Sequence, residues 1–329
     1  MLNTNNLTAM LMLVSVIWIS SAHAQLTRIT VGYSAVSGDQ LPAWVAKEAG
    51  IFEKNGLDVQ LIFFTGGTTA VMALVAGDTP ITQMAGAAVV NSALAGSDSV
   101  LLVGGVTSLN YYLMAQPQIK TPEQLKGGSV AISRFGAASD FIARFALSKI
   151  GLTPGKDVTL VQIGSTSARM DATLAGRVQA TVINPPASFI GERRGMTVLA
   201  DLPKLGLVYQ HTSAATTKKY IRENPDTVRR YVKSQVEAVR IYTDKETSIK
   251  VLSKYFGRGV EREILEKTWE NLLNDSVLPR KQYPSLEGIK TILETEAKGK
   301  PGKPEDFVDM TFIRELDKSG YIDSLYKKK

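Results

Sequence analysis

Six short turns rich in glycine, serine and threonine carry most of the residues that could bind a ligand. Each follows an apolar, strand-like run and precedes a helix-like one. Unpaired backbone N–H groups at a helix start carry partial positive charge, so such a turn favours an anionic or strongly polar ligand. Ordinary helix capping explains any single turn, but the joint placement of all six predicts a binding cleft. The turns are Ser34–Gln40, Thr65–Thr69, Met84–Ala88, Ser133–Ser139, Gly164–Ser167 and Asn184–Ser188.

Charged side chains near these turns are few. Arg134 lies inside one of them, where a guanidinium could bind carboxylate or sulfonate oxygens through two parallel hydrogen bonds. A salt bridge at the surface is the alternative for Arg134. Arg169 follows another turn and is a weaker candidate for binding a ligand; we expect it on the outer face of a helix. Asp39 and Asp140 occupy equivalent loops and are interpreted as helix caps or first-turn residues rather than as an acid–base pair.

Four aromatic residues near the turns are candidates for either the cleft or the core. Phe135, Tyr111 and Tyr112 could form apolar walls of a cleft, and packing in the core is the alternative for each. Trp44 shares a helix-like pattern with neighbouring apolar residues, so we expect it in the core.

The composition excludes several classes of chemistry. The 329 residues include no cysteine and two histidines, which excludes thiolate nucleophiles, disulfides and cysteine-ligated metals. No phosphate-binding loop, dinucleotide fingerprint, G-x-S-x-G or H-E-x-x-H motif is present. The net charge is +7, but the sequence lacks the blocks of basic residues expected of a nucleic-acid binder. We therefore expect no catalysis, no metal, no cofactor and no nucleic acid.

The first 24 residues have the pattern of a secretory signal. An apolar run over Met10–Ile19 is followed by Ala22-His23-Ala24, an A-x-A cleavage site. The run is about half the roughly 20 residues that a membrane span needs, although a membrane anchor is the alternative. Cleavage after Ala24 would remove His23, so any chemistry that needs histidine would depend on His211.

A repeat of 99 residues organises the first two thirds of the chain. Strand-like runs at Ile29–Tyr33, Leu57–Phe64 and Pro80–Met84 alternate with helix-like segments, which predicts a βαβαβ unit with parallel strands. The same pattern returns without a gap, which predicts two similar α/β lobes; chance similarity between two such units is the alternative. The matching pairs include Val31 and Val130, Ser34 and Ser133, Gly56 and Gly155, Leu61 and Leu160, Ala73 and Ala172, Gly77 and Gly176, and Thr82 and Thr181.

After Thr217 the composition changes to helix formers. These segments are interpreted as packing helices rather than as part of a site. The predicted helices are Lys245–Phe256, Val260–Leu273, Ser285–Thr295 and Pro304–Lys318.

The chain resembles a known family along most of its length, from about Ile29 to Asp323. The motifs are Ile29–Ser34, then Pro42–Val59 (PAWVAKEAGIFEKNGLDV), then Gly66-Gly67 before Ala73–Gly77. With the later Asn184-Pro185-Pro186, this pattern is similar to substrate-binding proteins of ABC importers of the sulfonate, nitrate and taurine type. That group is related to binders of the thiamine pyrimidine precursor.

The resemblance implies a two-lobed α/β fold of the type II periplasmic-binding-protein (venus-flytrap) class, each lobe having a mostly parallel sheet flanked by helices. We expect residues 1–24 to be the signal peptide, residues 25–108 and 208–329 to form lobe 1 with the C-terminal packing helices, and residues 109–207 to form lobe 2. The hinge is expected near Thr107–Tyr111 and Leu205–Tyr209.

The resemblance and the turn positions together indicate which residues line the cleft. The predicted ligand-binding residues are Ser34, Ser37, Gly38, Asp39, Gln40, Gly66, Gly67, Thr68, Gly86, Ala87, Arg134, Phe135, Gly136, Ser139, Thr166, Asn184 and Pro185.

The expected function is capture of a small polar, anionic organic solute by a monomeric periplasmic protein that delivers it to an ABC permease in the inner membrane. Three alternatives remain at this point: a sensor that presents its ligand to a receptor, a binder of a pyrimidine-type thiamine precursor, and a periplasmic enzyme on the same scaffold. The histidine and cysteine-rich motif of the eukaryotic pyrimidine-forming relatives are missing, which argues against that synthase activity.

Overall fold

The computed structural model describes residues 25–257, 259–274, 277–295 and 301–327, so the predicted signal peptide lies outside the described residues. The first of two five-stranded sheets has the strand order β2-β1-β3-β10-β4. Its strands are β1 (Thr27–Tyr33), β2 (Leu57–Phe63), β3 (Ile81–Ala85), β4 (Ser99–Ser108) and β10 (Val208–Thr217). The second has the order β7-β6-β8-β5-β9. Its strands are β5 (Tyr112–Ala115), β6 (Ser129–Ile132), β7 (Thr159–Gln162), β8 (Ala180–Ile183) and β9 (Thr197–Asp201).

Helices flank both sheets, and the part of the chain carrying each sheet with its connecting helices is called a lobe below. The helices are α1 (Leu41–Glu48), α2 (Ile51–Lys54), α3 (Gly67–Ala76), α4 (Gly86–Leu94), α5 (Ala138–Lys149), α6 (Thr166–Leu174), α7 (Ala187–Arg193), α8 (Lys218–Glu223), α9 (Pro225–Ile241), α10 (Lys245–Phe256), α11 (Arg262–Leu272), α12 (Leu286–Thr295), α13 (Thr311–Lys318) and α14 (Tyr321–Ser324). The short 3₁₀ helices are Gly38–Gln40, Pro122–Leu125, Leu202–Leu205 and Pro304–Phe307. The predicted two-lobed α/β fold is confirmed.

The two sheets are built to the same register, offset by 99 residues. Val31 of β1 pairs with Leu61 of β2, and Val130 of β6 pairs with Leu160 of β7. The pairing of β1 with β3 and of β6 with β8 keeps the same offset. The repeat in the sequence therefore corresponds to a repeat in the backbone.

Each sheet is mixed, because one strand runs against the others. In the first sheet β10 is antiparallel to β3 and β4, and in the second β5 is antiparallel to β8 and β9. The parallel strands of each sheet include those of its βαβαβ unit. The reversed strand belongs to the segment by which the chain enters or leaves that unit.

The chain passes between the sheets twice, between Ser108 and Tyr112 and again between Asp201 and Val208. The hinge segments expected from the sequence overlap both passages. Beside them, the Phe141 ring of α5 stacks on the Tyr209 ring of β10 with 4.7 Å between centroids. Apolar burial on this side stabilises the junction of the lobes.

The core of the first lobe lies between its sheet and α1, α9 and α10. Trp44 is fully buried there, as expected, and stacks on Tyr255 with 4.3 Å between ring centroids.

The C-terminal helices pack on the first lobe, with one correction. The predicted single helix over Pro304–Lys318 is wrong: a 3₁₀ turn ends at Phe307, Val308 then pairs with Leu101 of β4, and α13 begins only at Thr311. A backbone pairing with the sheet edge therefore competes successfully with helix propagation at this point.

Helix α12 lies directly against β10. A Cβ added at Gly288 would lie 2.4 Å from the backbone N of Gln210, so only glycine allows this approach. The Ser285 N–H donates to Gln210 Oε1 at 2.6 Å. The position of β10 therefore depends on α12.

Candidate ligand-binding site

A cavity of about 330 Å³ lies between the two lobes, where the carboxyl ends of the strands meet. In open parallel sheets this edge is where ligands bind. All six predicted turns begin helices or lead into them, and all six contribute residues to the cavity wall. The predicted residues that line it are Ser34, Ser37, Gln40, Gly66, Gly67, Ser139 and Thr166.

The other predicted residues do not line the cavity, but most of them join the lobes beside it. The Gly38 N–H donates to the Pro185 carbonyl oxygen at 3.2 Å, and Asn184 Nδ2 donates to Asp39 Oδ2. Both pairs connect the 3₁₀ turn before α1 with the turn after β8. Residues selected as ligand contacts at the Asn184 turn thus form direct contacts between the lobes.

A second set of contacts between the lobes lies nearer the surface. Thr68 Oγ1 donates to the Phe135 carbonyl oxygen at 3.3 Å, and Arg134 Nε donates to the Thr65 carbonyl oxygen at 3.4 Å. Arg134 is exposed, and the Phe135 ring, expected as a cleft wall, is 49% exposed outside the cavity. Tyr112 also lies outside it.

The remaining predicted residues have local structural roles. A Cβ at Gly86 would lie 2.7 Å from the Gln210 carbonyl oxygen, so glycine lets α4 approach β10. Ala87 is buried in the core. Gly136 has φ +72°, and its N–H donates to Asp140 Oδ2 at 2.9 Å in the turn that starts α5. This contact places Asp140 in a first-turn role, as expected.

Arg169 requires a correction, because the expectation that it lies on an outer helix face is wrong. Its side chain lines the cavity and the residue is only 3% exposed. Nη1 donates to the Gly164 carbonyl oxygen at 2.6 Å, and Nη2 donates to the Val182 carbonyl oxygen at 3.2 Å. These bonds hold the turn after β7 against the end of β8.

The positive charge of Arg169 has no counter-charge beside it. Its acceptors are neutral oxygens, and no ion pair joins it to a carboxylate within the described part of the chain. Burial lowers the pKa of Arg169 to about 10, which still leaves the guanidinium charged at neutral pH. A buried charge of this kind is costly unless an anion pairs with it.

The sequence contained a signal for the burial of Arg169. The residue 99 positions earlier is Ala70 of α3, which is fully buried. Helices α3 and α6 both begin in register with the repeat, at Gly67 and Thr166. The same helix face therefore points inward in both lobes.

His211 is a cavity residue that no local motif indicated. It lies on β10, is 4% exposed, and its Nε2 lies 3.2 Å from Asp39 Oδ2. The Tyr111 ring, also at the cavity, contacts it edge to face with 5.1 Å between centroids. Burial, with a smaller effect of the Asp39 carboxylate, raises the pKa of Tyr111 well above its usual value, so the phenol stays neutral.

Apolar side chains form the rest of the wall. They surround the hydroxyl groups and backbone amides with hydrocarbon and aromatic surface, a mixture typical of sites for small organic molecules. The largest of them are Phe63, Met170, Ile190, Phe256 and Val260.

Comparison with known proteins places the chain in a family. Residues 38–244 match the family described as NMT1/THI5 like. The chain belongs to this family.

Relatives of this NMT1/THI5-like protein include a putative binding protein of Bacillus subtilis (strain 168), YtlA. It is 23% identical over 207 residues, a match that covers 61% of this chain and 62% of the relative. The chain thus spans less than two thirds of that relative's length.

Solved structures show the same fold. The ligand-binding component of an ABC-type import system from Staphylococcus aureus, with zinc bound, has a TM-score of 0.72 at 14% identity, covering 88% of this chain and 98% of that one. The alkanesulfonate-binding protein SsuA of Xanthomonas axonopodis pv. citri, bound to MOPS, has a TM-score of 0.68 at 21% identity, covering 83% and 92%. The resemblance stated from the sequence motifs is confirmed.

Over residues 25–257, 259–274, 277–295 and 301–327, no group of three or more His, Cys, Asp or Glu side chains could hold a metal ion. In the same ranges of this NMT1/THI5-like protein, no helix has the length and apolar character to cross a membrane.

Proposed function

We propose that this protein is the exported solute-binding component of an ABC importer and that it captures a small anionic organic solute between its lobes. The observation that carries the proposal is Arg169, a buried guanidinium at the cavity wall with no carboxylate partner among the described residues. A carboxylate or sulfonate in the cavity would supply the missing charge. The hydroxyls of Ser139 and Thr166 line the same cavity and would add neutral donors.

Lobe closure is the proposed mechanism of capture. The solute stabilises the closed form because it contacts both lobes only there, and a ligand shifts such an equilibrium by its differential affinity for the two forms. Residues 25–108 and 208–329 would form one rigid body and residues 109–207 the other. The passages at 109–111 and 202–207 would act as the hinge, and an ABC permease would recognise the closed form.

Binding without catalysis, by a monomer in the periplasm, completes the proposal. Asp39, a buried carboxylate beside the cavity residue His211, accepts a hydrogen bond from Asn184 and contacts His211. Both contacts engage Asp39 with the protein itself, and this structural role supports binding without catalysis.

A ligand screen on the mature protein tests the proposal. Thermal unfolding would be followed with carboxylates, sulfonates, nitrate and neutral pyrimidines, and each hit confirmed by calorimetry. A ligand at about 100 times its dissociation constant adds roughly 2.7 kcal/mol of stability. We expect hits among the organic anions, recovered chemically unchanged. Binding of neutral pyrimidines alone, or of no anion, would contradict the proposal.

A further inference from the structure

We propose that the cavity selects solutes that carry a hydrogen-bond donor in addition to the anionic group, and that Gln40 Oε1 and His211 Nδ1 accept from this donor. This inference rests on the proposed function and specifies its substrate class. The solutes would be carboxylates or sulfonates with an amino, amide or hydroxyl group elsewhere on the molecule.

Gln40 supplies the first unpaired acceptor. The residue ends the 3₁₀ turn before α1, lines the cavity and is only 2% exposed. Its Oε1 has no hydrogen-bond partner among the described residues. A buried carbonyl oxygen without a hydrogen-bond donor destabilises a protein. A donor on the solute would remove this cost by forming a hydrogen bond with Gln40 Oε1.

His211 supplies the second acceptor, and Asp39 determines its tautomer. Asp39 Oδ2 lies 3.2 Å from His211 Nε2 and also accepts from Asn184 Nδ2. Because a carboxylate oxygen accepts hydrogen bonds, the tautomer that suits this contact carries its proton on Nε2. Nδ1 is then an acceptor, and it too lacks a partner among the described residues. Asp39 is thus a positioning residue that acts through His211.

The hydrogen-bond acceptors and the positive charge come from opposite lobes. Gln40 and His211 belong to the first lobe and Arg169 to the second, and all three line one cavity. Apolar side chains form much of the wall, so a solute that satisfies both sides needs an anionic group, a short apolar spacer and a donor. Nitrate and unsubstituted alkanesulfonates lack the donor.

Matched solutes of nearly equal size isolate this requirement. The probes are 2-aminoethanesulfonate and 2-hydroxyethanesulfonate against 1-propanesulfonate, with 3-aminopropanoate against butanoate as the carboxylate series. Calorimetry on the wild-type protein should show at least about tenfold tighter binding of the donor-bearing member in the better-bound series.

Gln40→Met keeps the length of the side chain and removes the acceptor. We expect the preference to fall to about threefold or less, with the affinity of the methyl-ended solute nearly unchanged. Gln60→Met is the matched control, because Gln60 is an exposed residue of β2. This variant should keep the wild-type preference. The double variant His211→Phe with Asp39→Asn keeps the ring beside Tyr111, removes the second acceptor, and gives an independent test if Gln40→Met folds poorly.

The outcomes separate the two proposals. Equal binding of all members of both series by the wild-type protein would overturn the donor requirement and leave the anion site standing. A preference that persists in both the Gln40 variant and the double variant would overturn the assignment of the acceptors. Binding of no member of either series would overturn the donor requirement together with the anionic substrate class.

Discussion

The two lobes share a backbone and differ in chemistry. Strand pairing and helix starts repeat at an offset of 99 residues, yet Arg169 of the second lobe corresponds to Ala70 of the first, and Asn184 corresponds to Ala85. At the cavity the first lobe contributes Gln40 and His211 and the second contributes Arg169, while both lobes contribute serines and threonines. A symmetric scaffold thus presents an asymmetric site, which would bind a solute in one orientation.

The largest effect is expected from removing the charge of the second lobe. Arg169→Gln should weaken binding of the organic anion at least about 100-fold, close to 2.7 kcal/mol, because a buried anion would lose its counter-charge. Calorimetry with the best anion from the screen measures the change. Arg169→Lys keeps the charge but not the planar fork, and it should recover part of the affinity.

Arg177→Gln is the control for the Arg169 variant, because Arg177 is an exposed arginine three residues beyond α6. Its affinity should equal that of the wild-type protein. An Arg169→Gln protein that folds and binds the anion normally would show that the asymmetry between the lobes has no role in recognition.

A smaller effect is expected from Asn184→Ala, which gives the second lobe the residue type found at the corresponding Ala85 of the first. Asn184→Ala removes the donor that crosses between the lobes. Affinity should fall about tenfold, roughly 1.4 kcal/mol, because the closed form loses a charge-assisted hydrogen bond. Calorimetry gives the affinity, and small-angle scattering with saturating solute reports closure.

Asn55→Ala serves as the matched control for Asn184→Ala. The Asn55 amide donates to Ile51 and Glu237, and both contacts stay within the first lobe. Equal losses of solute affinity in the two variants would indicate a general effect on folding rather than a contact specific to closure.

The smallest effect is expected at Arg134, the arginine that the turn pattern favoured. Its side chain is exposed, and among the described residues it donates only to the Thr65 carbonyl oxygen, at 3.4 Å. Arg134→Ala should therefore reduce affinity less than about threefold in a titration with the same anion. A loss of tenfold or more would return Arg134 to the ligand site.

The repeat explains how much could be predicted from the sequence. The strand-end turns and the burial of Trp44 follow from local patterns that the packing preserves. The expectation for Arg169 is wrong because the turn before α6, taken alone, does not show which face of the helix is buried. Its counterpart Ala70, in a helix that repeats in register, indicates an inward face.

Other features required the tertiary structure. The contact of His211 with Asp39 joins residues 172 positions apart, through a strand that returns from the second lobe. No spacing in the sequence encodes that approach. The interruption at Val308 is also nonlocal, because it depends on pairing with Leu101.

The close approach of Gly288 to Gln210 connects the C-terminal segment to the strand that carries His211. Gln210 immediately precedes His211, so displacing α12 would move the imidazole although no cavity atom is replaced. A bulkier residue at 288 would therefore test the proposed solute selectivity from outside the cavity.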